Sequence, residues 1–232
     1  MLKKWEQLPE FMRCDPVKDY YEILAKRKMS LLLKRGFDLV VSLLMLVVLA
    51  PLFLLLAIAI KLDSPGPVFF RQERVTQYGR HFRIFKFRTM VQHAQQLGTQ
   101  VTLKRDPRIT RVGAWIRKLR LDEICQLIDV LRGTMTFVGT RPEVPKYVAQ
   151  YSEEMRATLL LPAGVTSLAS ILYKNEDELL ATGEDADRIY IEEILPQKMR
   201  YNLDEIRNFS FMQNLKEMFW TVLAVLGKDF EG

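Results

Sequence analysis

Asp122 and Glu123 are adjacent carboxylates that close a basic stretch (Arg117, Lys118, Arg120) and open an apolar one. Two consecutive acidic residues are ordinarily a solvated surface pair. Here apolar helical turns over Ile124–Leu131 would put them near a helix N-terminus. The helix dipole there favours a carboxylate and lowers its pKa, and the nearby arginines act in the same direction. An ionised, acceptor-rich Asp in a phosphate-attracting site serves as a metal ligand or as a nucleophile toward phosphorus. Gly139-Thr140-Arg141-Pro142-Glu143 is a second cluster, in which Arg-Pro holds a guanidinium suited to bidentate phosphate contact. Lys86-Phe87-Arg88-Thr89-Met90 is a third, with two cations and a hydroxyl at the end of a strand. The chain has no Walker loop, no G-x-G-x-x-G and no G-x-S-x-G.

The elements that position these groups begin with an apolar run, Leu39 to Ile60, that carries Pro51 in its middle. As a straight helix it would reach ~30 Å, about one hydrocarbon core. Lys26, Arg27, Lys28, Lys34 and Arg35 precede it; Lys61, Arg71, Arg74, Arg80, Arg83, Lys86 and Arg88 follow it. Basic flanks favour the cytoplasm, so a segment basic on both sides is expected to enter and return, with Pro51 supplying the bend. This predicts a re-entrant hairpin helix over residues 34–62, with Lys34 and Arg35 at lipid headgroups. The alternative is an ordinary signal anchor with a tolerated proline. The run starts too late and is too long for a cleavable signal peptide.

Residues 1–33 are expected to form an interfacial extension, and residues 63–232 a cytoplasmic catalytic domain with C-terminal helices. Val68-Phe69-Phe70 and Phe82–Phe87 read as short strands joined through Tyr78-Gly79-Arg80. From Thr110 to Leu131 apolar residues recur at helical spacing with basic residues opposite, which predicts an amphipathic helix at the membrane surface that Gly133 ends. Thr136–Gly139 reads as extended, and helices are expected near Asp185–Leu203 and Met212–Leu226. The fold class is therefore α/β and membrane-associated: a re-entrant helix, amphipathic interfacial helices and a small globular domain with short strands. With 232 residues, 49% of them hydrophobic, the chain has enough for one modest globular domain. The net charge of +6 suits anionic headgroups or phosphorylated ligands. Nucleic acid is set aside because the basic residues sit where a bilayer would be. Cys14 and Cys125 form no metal-like spacing and favour a reducing location, and two histidines are too few for zinc.

Taken in order, Lys34-Arg35-x-x-Asp38, Ser64-Pro65-Gly66-Pro67, Lys86–Met90, Asp106-Pro107-Arg108-x-Thr110, Leu121-Asp122-Glu123-x-x-Gln126-Leu127 and Gly139-x-Arg141-Pro142-Glu143 form a series. It resembles that of the bacterial sugar transferases, the small monotopic phosphoglycosyl transferases, from Lys34 to about Tyr147. The resemblance implies transfer of a sugar phosphate from a UDP-sugar to undecaprenyl phosphate with release of UMP, initiating glycoconjugate synthesis at the bacterial inner membrane from its cytoplasmic face. It implies an aspartyl phosphosugar intermediate on Asp122 and Mg²⁺ at the same residue. Glu123 would act in proton handling or metal positioning, and Lys86, Arg117 and Arg141 would hold phosphate oxygens. Membrane lipid is the implied surroundings, and a homodimer is compatible with the resemblance.

The chain departs from the family pattern in three places. Ala50 precedes Pro51 where Ser is common, Thr140 stands where Gly-Pro-Arg-Pro is usual, and Ile124-Cys125 and Asp129 replace commoner residues. With Cys125 beside the active site, a thiol reagent is expected to inhibit. The competing reading is a non-catalytic membrane-anchored scaffold that recruits later glycosyltransferases; it would need no joint presence of Asp122, Lys86 and Arg141.

Overall fold

The apolar run lies inside one helix. After a first helix, α1 (Asp15–Lys26), helix α2 spans Lys28–Asp63, 36 residues, or ~54 Å at 1.5 Å per residue if straight. The computed structural model describes residues 2–92, 94, 106–173 and 186–225. Among these, α2 alone is long and apolar enough to cross a membrane. It continues through Pro51 as a single helix, where the sequence predicted a re-entrant hairpin helix with its bend at that residue. Proline deletes one backbone donor and crowds the preceding turn, which weakens a helix without obliging it to end where flanking residues are strong helix formers.

One stripe of α2 packs on the rest of the chain along its whole length, and the opposite stripe is bare. Its N-terminal part is held by polar groups. The Lys34 ammonium donates to the Val138 carbonyl at 2.6 Å, and Arg35 donates to the carbonyls of Val130 and Leu131 at 2.7 and 3.0 Å. The Asp38 carboxylate accepts from the Thr136 hydroxyl at 2.6 Å and from the Phe137 amide at 3.3 Å. Lys34 is only 6% exposed. The two cations expected at lipid headgroups are therefore turned into the protein, where they donate to the backbone carbonyls of Val130, Leu131 and Val138. Leu56 and Ile60 anchor the other end in a cluster with Phe87, Ile116 and Cys125. The exposed stripe includes Leu39, Val40, Leu43, Leu44, Val47, Val48, Leu54, Leu55 and Ile58.

Beyond a Ser-Pro-Gly-Pro turn, β1 (Phe69–Thr76) and β2 (Arg80–Phe87) pair antiparallel, with Phe69 opposite Phe87 and Thr76 opposite Arg80. Both strands are longer than the sequence suggested because charged residues such as Arg71, Glu73, Arg80 and Arg83 point into solvent and mask the pattern. The turn between them carries Tyr78 and Gly79 at φ 62° and 72°. The amphipathic segment from Thr110 is not one helix. Helix α3 (Arg111–Lys118) stops, Arg120 takes a left-handed conformation at φ 55°, and a 3₁₀ turn (Leu121–Gln126) leads into α4 (Leu127–Arg132). Gly133 ends α4 at φ 78°, as its position predicted.

Strand β3 (Met135–Val138) pairs in parallel with β4 (Ala163–Thr166). Their backbones approach so closely that a Cβ on Gly164 would lie 2.0 Å from the Gly139 carbonyl oxygen. Short helices α5 (Pro145–Val148) and α6 (Leu168–Leu172) flank this pair. The C-terminal region forms α7 (Ala186–Ile189), a π-turn (Tyr190–Ile194), α8 (Leu195–Arg207) and α9 (Phe211–Val225); the expected helix start at Asp185 lies outside the described residues. The N-terminal extension is not merely interfacial. Met12, Val17 and Leu24 are fully buried in a cluster with Leu195, Met199 and Phe209 of the C-terminal helices.

Helices α8 and α9 meet the start of α2 through ionisable groups. Burial pushes Glu205 up to about 8, the Glu217 charge adds to the rise, and Lys34 opposes it. Burial raises Glu217 as well, so the two carboxyls hold a proton between them at neutral pH. The folded protein binds more protons here than the unfolded chain, so the stability this pair contributes is lost as pH rises through the window ending at about 8. Glu205→Gln is expected to flatten the fall in melting temperature between about pH 5 and pH 8, measured by thermal unfolding across pH.

Candidate active site

The adjacent carboxylates occupy the 3₁₀ turn that Arg120 opens. A non-glycine residue in the left-handed region costs about 1 kcal/mol or more and persists only where the surroundings hold it. Its effect is to turn the chain between α3 and α4, so that Glu123 meets the end of β2. Lys86 donates to Glu123 Oε1 at 2.7 Å, across 37 residues of chain. Arg141 donates to Glu123 Oε2 through Nη1 at 3.1 Å and to Oε1 through Nη2. The Glu123 carboxylate is thus gripped from two sides by cations from separate elements.

Asp122 is placed differently. Among the described residues no other side chain hydrogen-bonds or ion-pairs with its carboxylate. Burial raises its pKa, and the Glu123 charge beside it adds to the rise; Lys86 and Arg117 offset this in part. The expected lowering by a helix dipole is overturned, because the pair sits in a 3₁₀ turn and Glu123 takes the hydrogen bonds of both cations. Burial also works to raise Glu123, but the charges and hydrogen bonds of Arg141 and Lys86 outweigh it and hold this carboxyl well below the ordinary range.

The loop that carries Arg141 is fixed behind the site. Arg74 donates to the Pro142 carbonyl at 3.1 Å, and the Val75 amide donates to that of Glu143 at 3.0 Å. The buried Glu143 carboxylate accepts from the Tyr190 hydroxyl, and Lys198 Nζ lies 3.7 Å from it. Tyr190 and Lys198 escaped the sequence reading because nothing local ties a π-turn and a C-terminal helix to a motif some fifty positions earlier. Arg117 also reaches the site: its Nε donates to Thr89 Oγ1 at 2.8 Å, and its charge acts on Asp122. Arg88 does not reach it. Its guanidinium donates to the Ser64 and Pro65 carbonyls, both at 2.7 Å, and so caps the end of α2.

The structure therefore brings together Asp122, Glu123, Lys86, Arg117 and Arg141, and leaves Lys34, Arg35 and Pro51 on α2. Among the described residues no group of three or more His, Cys, Asp or Glu side chains is placed to hold a metal. The unpartnered Asp122 carboxylate still fits a hexacoordinate Mg²⁺, an ion that takes one or two protein carboxylates and completes its shell with water and phosphate oxygens. Glu123 is a poorer ligand because both of its oxygens are occupied.

The profile of the family described as Bacterial sugar transferase matches residues 29–228. The chain belongs to the bacterial sugar transferase family. It is 48% identical over 223 residues to the exopolysaccharide production protein PSS of Rhizobium leguminosarum bv. phaseoli, covering 87% of this chain and all of that protein. A UDP-N-acetylgalactosamine-undecaprenyl-phosphate N-acetylgalactosaminephosphotransferase of Aeromonas hydrophila is 36% identical over 197 residues, 84% of this chain and 44% of its own length. An undecaprenyl-phosphate glucose phosphotransferase of Komagataeibacter xylinus is 39% identical over 210 residues, 86% of this chain and 37% of its own length. The chain thus spans less than half the length of these last two sugar transferases.

Cys125 stays beside the site, its thiol donating to the Asp122 carbonyl at 3.5 Å, but it is sealed in the apolar cluster of Leu56, Ile60, Phe87 and Ile116. Its side chain is fully buried, and burial raises its thiol pKa far above the ordinary value. The expectation that a thiol reagent inhibits through Cys125 is therefore withdrawn, since the reactive thiolate is neither exposed nor formed. In the folded protein Cys125 is expected to resist iodoacetamide at neutral pH while the partly exposed Cys14 is modified, as mass spectrometry of the labelled peptides would show.

Proposed function

We propose that this sugar transferase moves a sugar phosphate from a UDP-sugar to undecaprenyl phosphate and releases UMP. The observation that carries the reading is the unequal treatment of two adjacent carboxylates. Glu123 is neutralised by Lys86 and Arg141, whereas Asp122 has no such partner and lies near the charge of Arg117. A carboxylate with no side-chain hydrogen-bond partner, partly desolvated and close to cations, is a better nucleophile than a solvated one.

In the first step an Asp122 carboxylate oxygen attacks the sugar-side phosphorus of the UDP-sugar. The bond from that phosphorus to the bridging oxygen breaks, and UMP departs with the bonding electrons. In the second step a phosphate oxygen of undecaprenyl phosphate attacks the same phosphorus and frees the Asp122 carboxylate, giving the lipid diphosphate-sugar. Arg117 would hold phosphate oxygens throughout. Lys86 and Arg141 would keep Glu123 ionised and lend their positive charge to the binding of the donor diphosphate. Asp122 would hold Mg²⁺, which when bound would supply charge neutralisation on the diphosphate.

The membrane arrangement has its own support. Both ends of α2 are tied to the same globular body, at Val138 and Thr136 near one end and through Arg88 at the other. A helix so tied, with its free stripe apolar, suits a monotopic protein that dips into one leaflet from the cytoplasmic side and bends at Pro51. Trp115 within α3 and Leu119 at its C-terminal end, 52% and 47% exposed, would lie at the same surface. One substrate is then soluble, and the other presents its phosphate where the site opens.

UMP release by purified, solubilised protein, assayed with undecaprenyl phosphate, Mg²⁺ and a panel of UDP-sugars, tests the reaction. Asp122→Ala is expected to abolish release. Glu123→Gln, which leaves Lys86 and Arg141 facing a neutral amide, is expected to lower kcat by about ten- to a hundred-fold. The acid limb of the pH–rate profile is expected above the ordinary aspartate range, since the Asp122 pKa is raised and the ionised form attacks. Wild-type rates in Asp122→Ala would overturn the reading. Cysteines introduced at the two flanks of α2 are both expected to label from the cytoplasmic side, and labelling from opposite sides would exclude the monotopic arrangement.

A further inference from the structure

The end of β2 does more than deliver Lys86. Residues 86 to 89 contact three parts of the chain in succession: Lys86 the Glu123 carboxylate, Arg88 the Ser64 and Pro65 carbonyls just beyond α2, and Thr89 the guanidinium of Arg117. The last of these contacts controls a group that meets substrate under the proposed function. We propose that Thr89 is the positioning residue that orients the Arg117 guanidinium toward the donor phosphate.

The geometry on both sides supports this. Thr89 is buried and its own position is tightly set. Its carbonyl accepts from the Thr110 amide at 3.1 Å, and Thr110 caps α3 by accepting from the Gly113 amide at 3.0 Å. The first turn of α3 presses on Thr89 so closely that a Cβ on Gly113 would lie 2.1 Å from the Thr89 carbonyl oxygen. Arg117 lies one turn beyond Gly113 on the same helix face, and helical side chains lean back toward the N-terminus. The long Arg117 side chain thus runs back along that face to Thr89 Oγ1, 28 residues away in sequence.

The hydrogen bond has a chemical consequence. A guanidinium offers two side-by-side edges to an oxyanion: the pair Nε and Nη2, or the pair Nη1 and Nη2. Thr89 accepts the Nε–H, so the first edge is occupied and rotation about the Cδ–Nε bond is restrained. The edge left for bidentate phosphate contact is Nη1 and Nη2, and among the described residues neither nitrogen has a partner. A lysine at this position would supply charge without Nε and without a fixed edge. Arg88, next to Thr89, fixes the same segment to the end of α2, so the orientation of this phosphate-binding edge is referenced to the membrane helix.

This inference rests on the transferase reading, and the test separates the two. Thr89→Val keeps the shape of the side chain and removes the acceptor; Thr89→Ser keeps the acceptor. Each is measured in the wild-type and Arg117→Lys backgrounds for kcat/KM in UMP release and, without turnover, for UDP affinity by titration calorimetry. Melting temperatures establish that each variant is folded. In the wild-type background Thr89→Val is expected to lower kcat/KM and UDP affinity by about ten-fold, and Thr89→Ser by less than about two-fold. In the Arg117→Lys background Thr89→Val is expected to change either by less than about two-fold, because the hydrogen bond is already absent. Equal losses from Thr89→Val in both backgrounds, or none in either, would overturn the positioning role while leaving the transferase reading intact. Wild-type protein that neither releases UMP nor binds UDP would overturn both.

Discussion

The carboxylate of Glu123, held between Lys86 and Arg141, is the interaction on which the site depends. It joins the end of β2, the 3₁₀ turn and the loop after β3, which are otherwise separate parts of the chain. Each charge-assisted hydrogen bond contributes roughly 1.5–3 kcal/mol net. Their greater consequence is electrostatic. By absorbing two cations Glu123 stays ionised although burial opposes it, and its charge then raises the pKa of the neighbouring Asp122. One residue is fixed and neutralised so that the next is left free. Two residues of nearly identical chemistry acquire different roles from the positions of their neighbours alone.

A second constraint is how α2 is attached. Its free face is apolar, yet its contacts with the body include ions: Lys34, Arg35 and Asp38 near one end and Arg88 at the other. Lys34, Arg35 and Arg88 donate to backbone carbonyls at the end of α4, in β3 and at the end of α2 itself. Such contacts specify register more sharply than apolar packing does, because a slip of one residue leaves a buried charge without its partner. Helix α2 is therefore joined at defined points to the elements that carry the candidate site. The position of Lys86 and Thr89 follows from where α2 ends.

Much of this was legible in the chain itself. The length and hydropathy of Leu39–Ile60 required a helix, and Gly133 stopped α4 because a left-handed residue was needed there. The ordered motifs around Lys86, Asp122 and Arg141, through their resemblance to the bacterial sugar transferases, marked residues that the fold gathers. Local pattern failed where the backbone broke a rule. The spacing from Thr110 to Leu131 reads as one helix, and nothing in Arg120 announces a left-handed residue, since arginine helps helices continue. The strands β1 and β2 were seen short because polar residues line their solvent faces.

Sequence by itself determined the apolar helix and the family, since these follow from residue type and order. Tertiary structure alone decided the division of labour within the site. That Glu123 and not Asp122 receives the cations, that Lys34 and Arg35 point inward, that Cys125 is sealed off and that Thr89 holds Arg117 all depend on contacts between residues distant in sequence. Electrostatic energy is set by distance and by exclusion of water, and the order of residues along a chain specifies neither until the chain has folded.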